Sequence, residues 1–145
     1  MLPRFRRILL PVDVTPRKST AQEIALDLAV EHKAGVSLLH VIQTIDPVDS
    51  SPDEETRKFY DRLQERAASN MDQMAQPFRE AGVAVDVRIS VGDRLRDIVT
   101  FAEEHDVDLI IMSSHRIDSA NPIASWGTLS YKVSVACECP ILLVK

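Results

Sequence analysis

Basic residues and long apolar runs are both scarce in this 145-residue chain, and each shortage excludes a class of protein. Lys and Arg number 17 against 22 Asp and Glu, which gives a formal net charge of −5. A negative balance disfavours nonspecific binding to nucleic acid or to an anionic membrane surface. No apolar run approaches the roughly 18 residues that a membrane-spanning helix requires. We therefore expect neither nucleic acid nor a membrane among the partners of this protein.

Cysteine is also rare, and its two copies stand where neither a disulfide nor a zinc site is expected. Cys137 and Cys139 are one residue apart, a spacing at which a disulfide would be badly strained. No second pair stands at zinc-ligand spacing, so we predict reduced, packed cysteines and no metal site. The basic start of the chain is followed by an apolar run of only about seven residues that includes Asp13, which is too short for a signal peptide. These features predict a cytoplasmic protein.

Glycine is the third shortage, with four copies, each at a predicted junction between elements. No stretch carries the Gly-x-x-x-x-Gly-Lys-[Ser/Thr] pattern of a P-loop, so P-loop enzymes are excluded. The acidic residues and histidines lack the spacing of a catalytic triad or a metal cluster. We therefore expect no enzyme and name no catalytic residue.

Apolar runs and apolar stripes alternate along the chain. Near-continuous runs are typical of strands covered on both faces, and they predict strands at 6–12, 36–42, 109–112 and 141–144. Strict alternation at 83–91 predicts a strand with one wet face, hence a sheet edge. Between the strands, apolar residues recur at intervals of three and four, which is typical of helices packed on a sheet.

Start and stop signals set the predicted helix ends. Thr15-Pro16 is predicted to begin the first helix and Gly35 to cap its end. Ser51 to Glu54 is predicted to cap the second helix, with Ser51 as the capping residue. Asp93 is predicted to cap the third helix, and the fourth is predicted to begin at Gly127-Thr128.

Strands and helices therefore alternate from end to end, which predicts a single α/β domain over residues 1–145. Such alternation implies a parallel sheet covered by helices on both faces through right-handed crossovers. We predict a five-stranded open sheet of order 3-2-1-4-5, a Rossmann-like arrangement. In such sheets, ligands bind beyond the carboxyl ends of the strands, where the winding reverses.

The stretch 108–129 is the strongest candidate for such a site. It reads DLIIMSSHRIDSANPIASWGTL, an apolar strand, a polar loop and a helix start. Unpaired backbone N–H groups and the positive end of a helix that face one point form an anion site. We therefore predict that phosphate binds here.

Six segments, in their order and spacing, resemble the universal stress protein family of the UspA-like type over the full length of the chain. They are RILLPVD, LLHVI, VGDRLRDIV, VDLIIMSSH, GTLSYKV and CPILLVK. Members that bind ATP carry Gly-x-x-Gly followed, after a spacer, by Gly-[Ser/Thr]. Here Ser113 to Arg116, a ten-residue spacer and Gly127-Thr128 occupy these positions, so both early glycines are replaced and the later one is kept. The resemblance implies a fold like that of the adenine nucleotide alpha hydrolases, nearer the ATP-binding type.

The resemblance also implies a role for each matching position. Asp13 would contact ribose or adenine, Val41 would bind adenine through its backbone, and Ser113, His115 and Arg116 would line the triphosphate. The start of the last helix would hold phosphate oxygens through N–H and hydroxyl groups. The predicted cofactor-binding residues are Pro11, Val12, Asp13, Val41, Ser113, Ser114, His115, Arg116, Gly127, Thr128, Leu129 and Ser130. The cofactor would be ATP, or ADP or AMP in its place, with Mg²⁺ accompanying the nucleotide.

Simpler interpretations of these residues stay open. Asp13 is equally suited to a turn or to a cap of the first helix, and His115 to a loop without a ligand. His40 lies inside a strand, which is typical of a packed core histidine. Trp126 fits either a lid or a contact with a partner subunit.

The resemblance therefore implies a stress-response regulator that binds ATP and acts through nucleotide-dependent conformation and protein interaction. The alternative is a nucleotide-free dimeric interaction module with a degenerate phosphate loop. Residues 141–144 are predicted to form an edge strand, and pairing of this strand across a two-fold axis predicts a homodimer. The protein partner is not identified by the sequence.

Overall fold

The structure is a computed structural model that describes residues 4–13, 19–44, 53–114 and 128–145. Its elements are β1 (Arg7–Pro11), α1 (Thr20–His32), β2 (Gly35–Gln43), α2 (Glu54–Glu80), β3 (Val85–Gly92), α3 (Arg94–Glu104), β4 (Leu109–Ser113), α4 (Leu129–Ala136) and β5 (Ile141–Val144). In the part of the chain that the structure describes, no helix has both the length and the apolar character needed to cross a membrane.

The five strands form one parallel sheet of order β3-β2-β1-β4-β5, which confirms the predicted fold class and strand order. β3 lies at one edge, as its alternating pattern predicts, and β5 lies at the other. The central strands bury both of their faces. In β1, for example, Ile8 and Leu10 pack on the side of α1 and α2, whereas Leu9 packs on the side of α3 and α4.

β1 and β4 pair over a short distance only. Their ladder contains Ile8 opposite Leu109 and Leu9 opposite Ile110. On its other side β1 pairs with β2 as far as Pro11, and the Val12 N–H continues this pairing by donating to the Leu39 carbonyl at 2.8 Å. The carboxyl ends of β1 and β4 therefore diverge, and the sheet opens between them. This is the point at which the winding reverses.

Both predicted ends of α1 are wrong. The helix begins at Thr20, because the Ser19 hydroxyl accepts a hydrogen bond from the Ala21 N–H at 3.1 Å and caps it. It ends at Lys33, whose φ of 54° places it in the left-handed region, and Gly35 already belongs to β2. The Ala34 N–H then bonds back to the Ala29 carbonyl. A lysine therefore takes the position that glycine usually occupies.

The predicted cap of α2 is also wrong. Asp53 caps this helix by accepting a hydrogen bond from the Thr56 N–H at 2.8 Å, and Ser51 lies outside the described residues. The predicted apolar stripe packs on the sheet along its carboxyl-terminal half, from Ala67 to Phe78. Phe59 is 47% exposed, so the first turns of the stripe are not part of the core.

Candidate functional site

A cavity of about 670 Å³ lies where β1 and β4 diverge. Its floor is formed by the carboxyl ends of β1, β2 and β4, and its walls by the amino-terminal ends of α1, α3 and α4. The volume falls within the roughly 300–1,000 Å³ of small-molecule sites. The cavity stands at the reversal of the winding, where open α/β sheets bind their ligands.

Nine of the twelve predicted site residues line this single cavity. They are Pro11, Val12, Asp13, Val41, Ser113, Ser114, Thr128, Leu129 and Ser130. The other three, His115, Arg116 and Gly127, lie outside the described residues, as does Trp126. Pro11 and Ser130, which are 119 positions apart in the chain, are thus brought to one place.

Hydroxyl groups gather at one end of the cavity, which we call the hydroxyl end. Ser130 Oγ donates to Ser114 Oγ at 3.2 Å and lies 3.4 Å from Thr128 Oγ1. Ser19 Oγ lies 3.2 Å from Ser113 Oγ. The cap of α1, the end of β4 and the start of α4 are therefore linked through side-chain oxygens. Such hydroxyls can reorient to donate to an anion.

The backbone at the end of β4 differs from the prediction in one respect. The Ser114 N–H donates to the Val144 carbonyl at 2.7 Å. It extends the ladder between β4 and β5, and it is therefore not available to a phosphate. Ser114 contributes its hydroxyl to the cavity instead.

The start of α4 differs from the starts of the other described helices in its capping residue. Its capping residue, Thr128, makes no side-chain hydrogen bond to the helix backbone. Ser19, Asp53 and Asp93 do make that bond at the other three described helices. The first-turn N–H groups of α4 therefore receive no cap from Thr128, at a helix end that carries partial positive charge.

The opposite end of the cavity, which we call the β2 end, is formed by His40, Val41 and Arg94. His40 Nδ1 lies 2.9 Å from the Val12 carbonyl. Because a carbonyl only accepts, this nitrogen carries the hydrogen. Arg94 Nε donates to the Val41 carbonyl at 3.3 Å, and the Arg94 N–H donates to Gln43 Oε1 at 3.0 Å. The start of α3 is thereby fixed to the end of β2.

Several lining residues are not among the predicted ones. Sequence reasoning placed His40 in the core, and it gave no role to Arg94, to Lys145 or to the start of α1 at 19–22. A polar residue inside an apolar strand was the one signal for His40. The start of α1 was missed because the helix was predicted to begin at Thr15-Pro16. The helix cap at Ser19 also excludes the interpretation of Asp13 as the cap of α1.

Positive charge exceeds negative charge around the cavity. Among the described lining residues, the charged side chains are Asp13, Arg94 and Lys145. This local balance is opposite in sign to the net charge of −5 of the whole chain. The described residues contain no group of three or more His, Cys, Asp or Glu that could hold a metal ion.

The family model of the universal stress proteins matches residues 4–145 of this chain. Universal stress protein YxiE of Bacillus subtilis is 25% identical over 148 residues, which cover 97% of this chain and 99% of YxiE. Among solved structures, that of MJ0577 from Methanocaldococcus jannaschii has a TM-score of 0.76 and 30% identity. That match covers 99% of this chain and 97% of the MJ0577 chain.

A third likeness is to the universal stress protein from Archaeoglobus fulgidus, solved in complex with dAMP. Its TM-score is 0.66 at 19% identity, with 99% of this chain and 100% of that chain covered, which shows the same fold. The family model and the relative at 30% identity go further, since each extends over nearly the whole length of the chain. This chain belongs to the universal stress protein family.

Proposed function

We propose that this universal stress protein is a stress-response regulator that binds an adenine nucleotide, ATP in the first place, in the cavity between β1 and β4. The bound nucleotide acts as a conformational ligand, and a protein partner recognises the resulting surface. The proposal assigns no catalytic step to the protein and places it in the cytoplasm. Mg²⁺ would enter with the phosphates.

The observation that carries the proposal is the convergence of nine predicted positions on one cavity with two chemically different ends. A nucleotide has the same asymmetry, because its phosphates are anionic and its base is planar and mostly apolar. The hydroxyl end suits the phosphates, and the β2 end suits the base. Asp13 lies at the end of β1, where a ribose hydroxyl would donate to its carboxylate.

At the hydroxyl end, the start of α4 supplies N–H groups that Thr128 does not cap, and Ser113, Ser114, Thr128 and Ser130 supply hydroxyls. The amino-terminal end of α1 faces the same cavity. Each helix end contributes roughly half a positive charge. Two such ends lower the free energy of an anion between them.

At the β2 end, the backbone of Val41 lies beyond the end of β1. The Leu39 carbonyl accepts from Val12, and backbone groups two residues apart along a strand face the same side. The carbonyl of Val41 therefore faces the gap that β1 leaves open, where it can meet the edge of a base. The complex of the Archaeoglobus fulgidus protein with dAMP supports an adenine nucleotide as the ligand of this fold.

Titration with a fluorescent ATP analogue tests the proposal. We expect saturable binding to the wild type. The variant Ser130→Ala removes one hydroxyl of the hydroxyl end, and we expect it to raise the Kd by about tenfold, because a hydrogen bond to a charged group contributes roughly 1.5–3 kcal/mol. Ser113→Ala, at an exposed position of the same end, should weaken binding in the same direction.

Ser134→Ala is the matched control. Ser134 lies on the same helix, but its hydroxyl donates to the Tyr131 carbonyl at 2.6 Å and it does not line the cavity. We expect its Kd to equal that of the wild type. Absence of saturable binding by the wild type up to about a millimolar concentration, where binding free energy is only some −4 kcal/mol, would contradict the proposal.

A second candidate function is a nucleotide-free dimeric interaction module. The observation that favours it is the exposure of apolar side chains near this edge of the sheet: Tyr131 and Val135 of α4 are 44% and 71% exposed, and Leu142 of β5 is 38% exposed. Among the described strands, β5 pairs only with β4, and none of them covers its other edge. An open edge beside exposed apolar side chains favours pairing with a second copy of the chain.

A further inference from the structure

Arg94 holds a fixed position at the β2 end of the cavity. It is the first residue of α3, whose capping residue, Asp93, accepts a hydrogen bond from the Arg96 N–H at 2.8 Å. The Arg94 N–H donates to the Gln43 side chain, and its Nε donates to the Val41 carbonyl. The backbone and the side chain of Arg94 are thus both hydrogen-bonded to the end of β2. The guanidinium therefore stays where the proposed function places the base.

Among the residues that the structure describes, no acidic side chain pairs with this guanidinium. The ion pairs between described residues join Lys58 to Glu54, Arg79 to Asp72, Arg88 to Asp86 and Arg96 to Asp97. Arg94 is in none of them. Its only side-chain hydrogen bond to a described residue uses Nε. The N–H groups on its two terminal nitrogens therefore remain available to a ligand.

The β2 end consequently presents more donors than acceptors. The carbonyl of Val41, which would accept from the amino group at C6 of adenine, already accepts from Arg94. A second donor at this oxygen would lie beside a full positive charge. An oxygen at C6 would instead accept from the guanidinium, in a charge-assisted hydrogen bond.

We propose that Arg94 is a specificity-determining residue that widens the base preference of the cavity from adenine to 6-oxopurines such as hypoxanthine and guanine. This inference rests on the proposed function, since it requires a nucleotide in the cavity with its base at the β2 end. The donor set of Arg94 then decides which group at C6 is tolerated. The amino group of adenine contributes little to affinity, whereas a C6 oxygen contributes a hydrogen bond.

Competition titrations with three unlabelled triphosphates test this inference. ATP, inosine 5′-triphosphate and purine riboside 5′-triphosphate differ at C6, which carries an amino group, an oxygen and a hydrogen, respectively. We expect the wild type to bind the inosine nucleotide at least as tightly as ATP. We also expect it to bind the unsubstituted purine nucleotide with nearly the Kd of ATP.

Arg94→Met removes the guanidinium and keeps an unbranched stem and high helix propensity. We expect this variant to shift the ratio of the Kd for ATP to the Kd for the inosine nucleotide by about tenfold in favour of ATP. This is the effect of one hydrogen bond to a charged group. ATP should also become tighter than the unsubstituted purine nucleotide, because the Val41 carbonyl is released. Binding of ATP to the variant shows that the variant is folded.

Arg96→Met is the matched control, because Arg96 lies two residues further along α3, pairs with Asp97 and does not line the cavity. Its nucleotide ratio should equal that of the wild type. If all three nucleotides bind and Arg94→Met leaves their ratio unchanged, the inference about Arg94 is wrong and the proposed function stands. If the wild type binds none of the three, both fail.

Discussion

Cys137 lies half-buried after the end of α4, and its surroundings make its thiol hard to ionise. Burial is the largest cause, followed by the neighbouring Cys139 and by Glu103, and together they raise the pKa of Cys137 to about 11. Burial also raises the pKa of Cys139, with a further contribution from Asp108. Since the thiolate is the reactive form, both cysteines are protected from alkylation near neutral pH. Packing thus determines the reactivity of both residues.

This environment predicts a pH profile for alkylation. In a Cys139→Ser variant, burial and Glu103 still raise the pKa of native Cys137, so we expect the midpoint of its iodoacetamide reaction rate against pH to lie above 9. In urea the midpoint should fall to about 9. Because the folded pKa is the higher one, the neutral thiol favours the folded state below pH 9, and this contribution is lost as the pH rises through 11. Identical native and unfolded profiles would contradict the assignment.

At the residue scale, the sequence predicted the site residues that directly follow a strand. It missed those that reach the cavity only because distant elements pack together. Ser113 and Ser114 follow an apolar run, so their place at a strand end could be inferred. Arg94 meets Val41 across 53 positions of sequence, through the attachment of α3 to β2. No local sequence pattern indicates that these two residues meet. The engagement of the Ser114 N–H by Val144 was missed for the same reason.

At the scale of the helices, the sequence predicted that each helix exists, but it predicted the residues at which the helices begin and end less well. The apolar stripes of α1 and α3 and the cap at Asp93 agree with the structure. The errors at Ser19, Lys33 and Asp53 have one cause. Several residues in each loop can cap a helix, and the choice among them depends on how the loop meets the sheet, which local sequence does not record.

The end of α1 provides a test of this local geometry. Lys33 adopts a φ of 54°, which costs a residue with a Cβ about 1 kcal/mol. We therefore expect Lys33→Gly to raise the free energy of unfolding by roughly 0.5–1 kcal/mol, as measured by urea denaturation. Glu31→Gly, two residues earlier in regular helix, should lower it by about 0.5 kcal/mol. Destabilisation by both substitutions would argue against a left-handed Lys33.

For the whole molecule, two sequence patterns predicted where individual strands lie in the sheet. Near-continuous apolar runs in β1, β2 and β4 predicted strands covered on both faces, and alternation in β3 predicted an edge. The structure confirms both. The cavity could be assigned to the carboxyl ends of the strands from topology alone. Its hydroxyl and β2 ends required the structure, because residues far apart in the sequence form them.

The quaternary structure gives a prediction at this scale. We expect a homodimer through β5 and the exposed side of α4, so Val135→Glu should weaken dimerisation measured by sedimentation at micromolar concentration. A buried, unpaired carboxylate opposes association. Val30→Glu is the matched control, because Val30 is also an exposed helical valine, 51% against 71%, on the opposite face of the sheet. A monomeric wild type, or an equal effect of the two substitutions, would contradict this interface.

Ser114 belongs to the cavity and to the sheet edge at once. Its hydroxyl accepts from Ser130, while its amide holds the Val144 carbonyl at 2.7 Å. A ligand that shifts Ser114 would therefore also shift β5, the strand through which we predict the contact between subunits. Ligand binding in the cavity and the predicted contact between two subunits would therefore share one residue, Ser114.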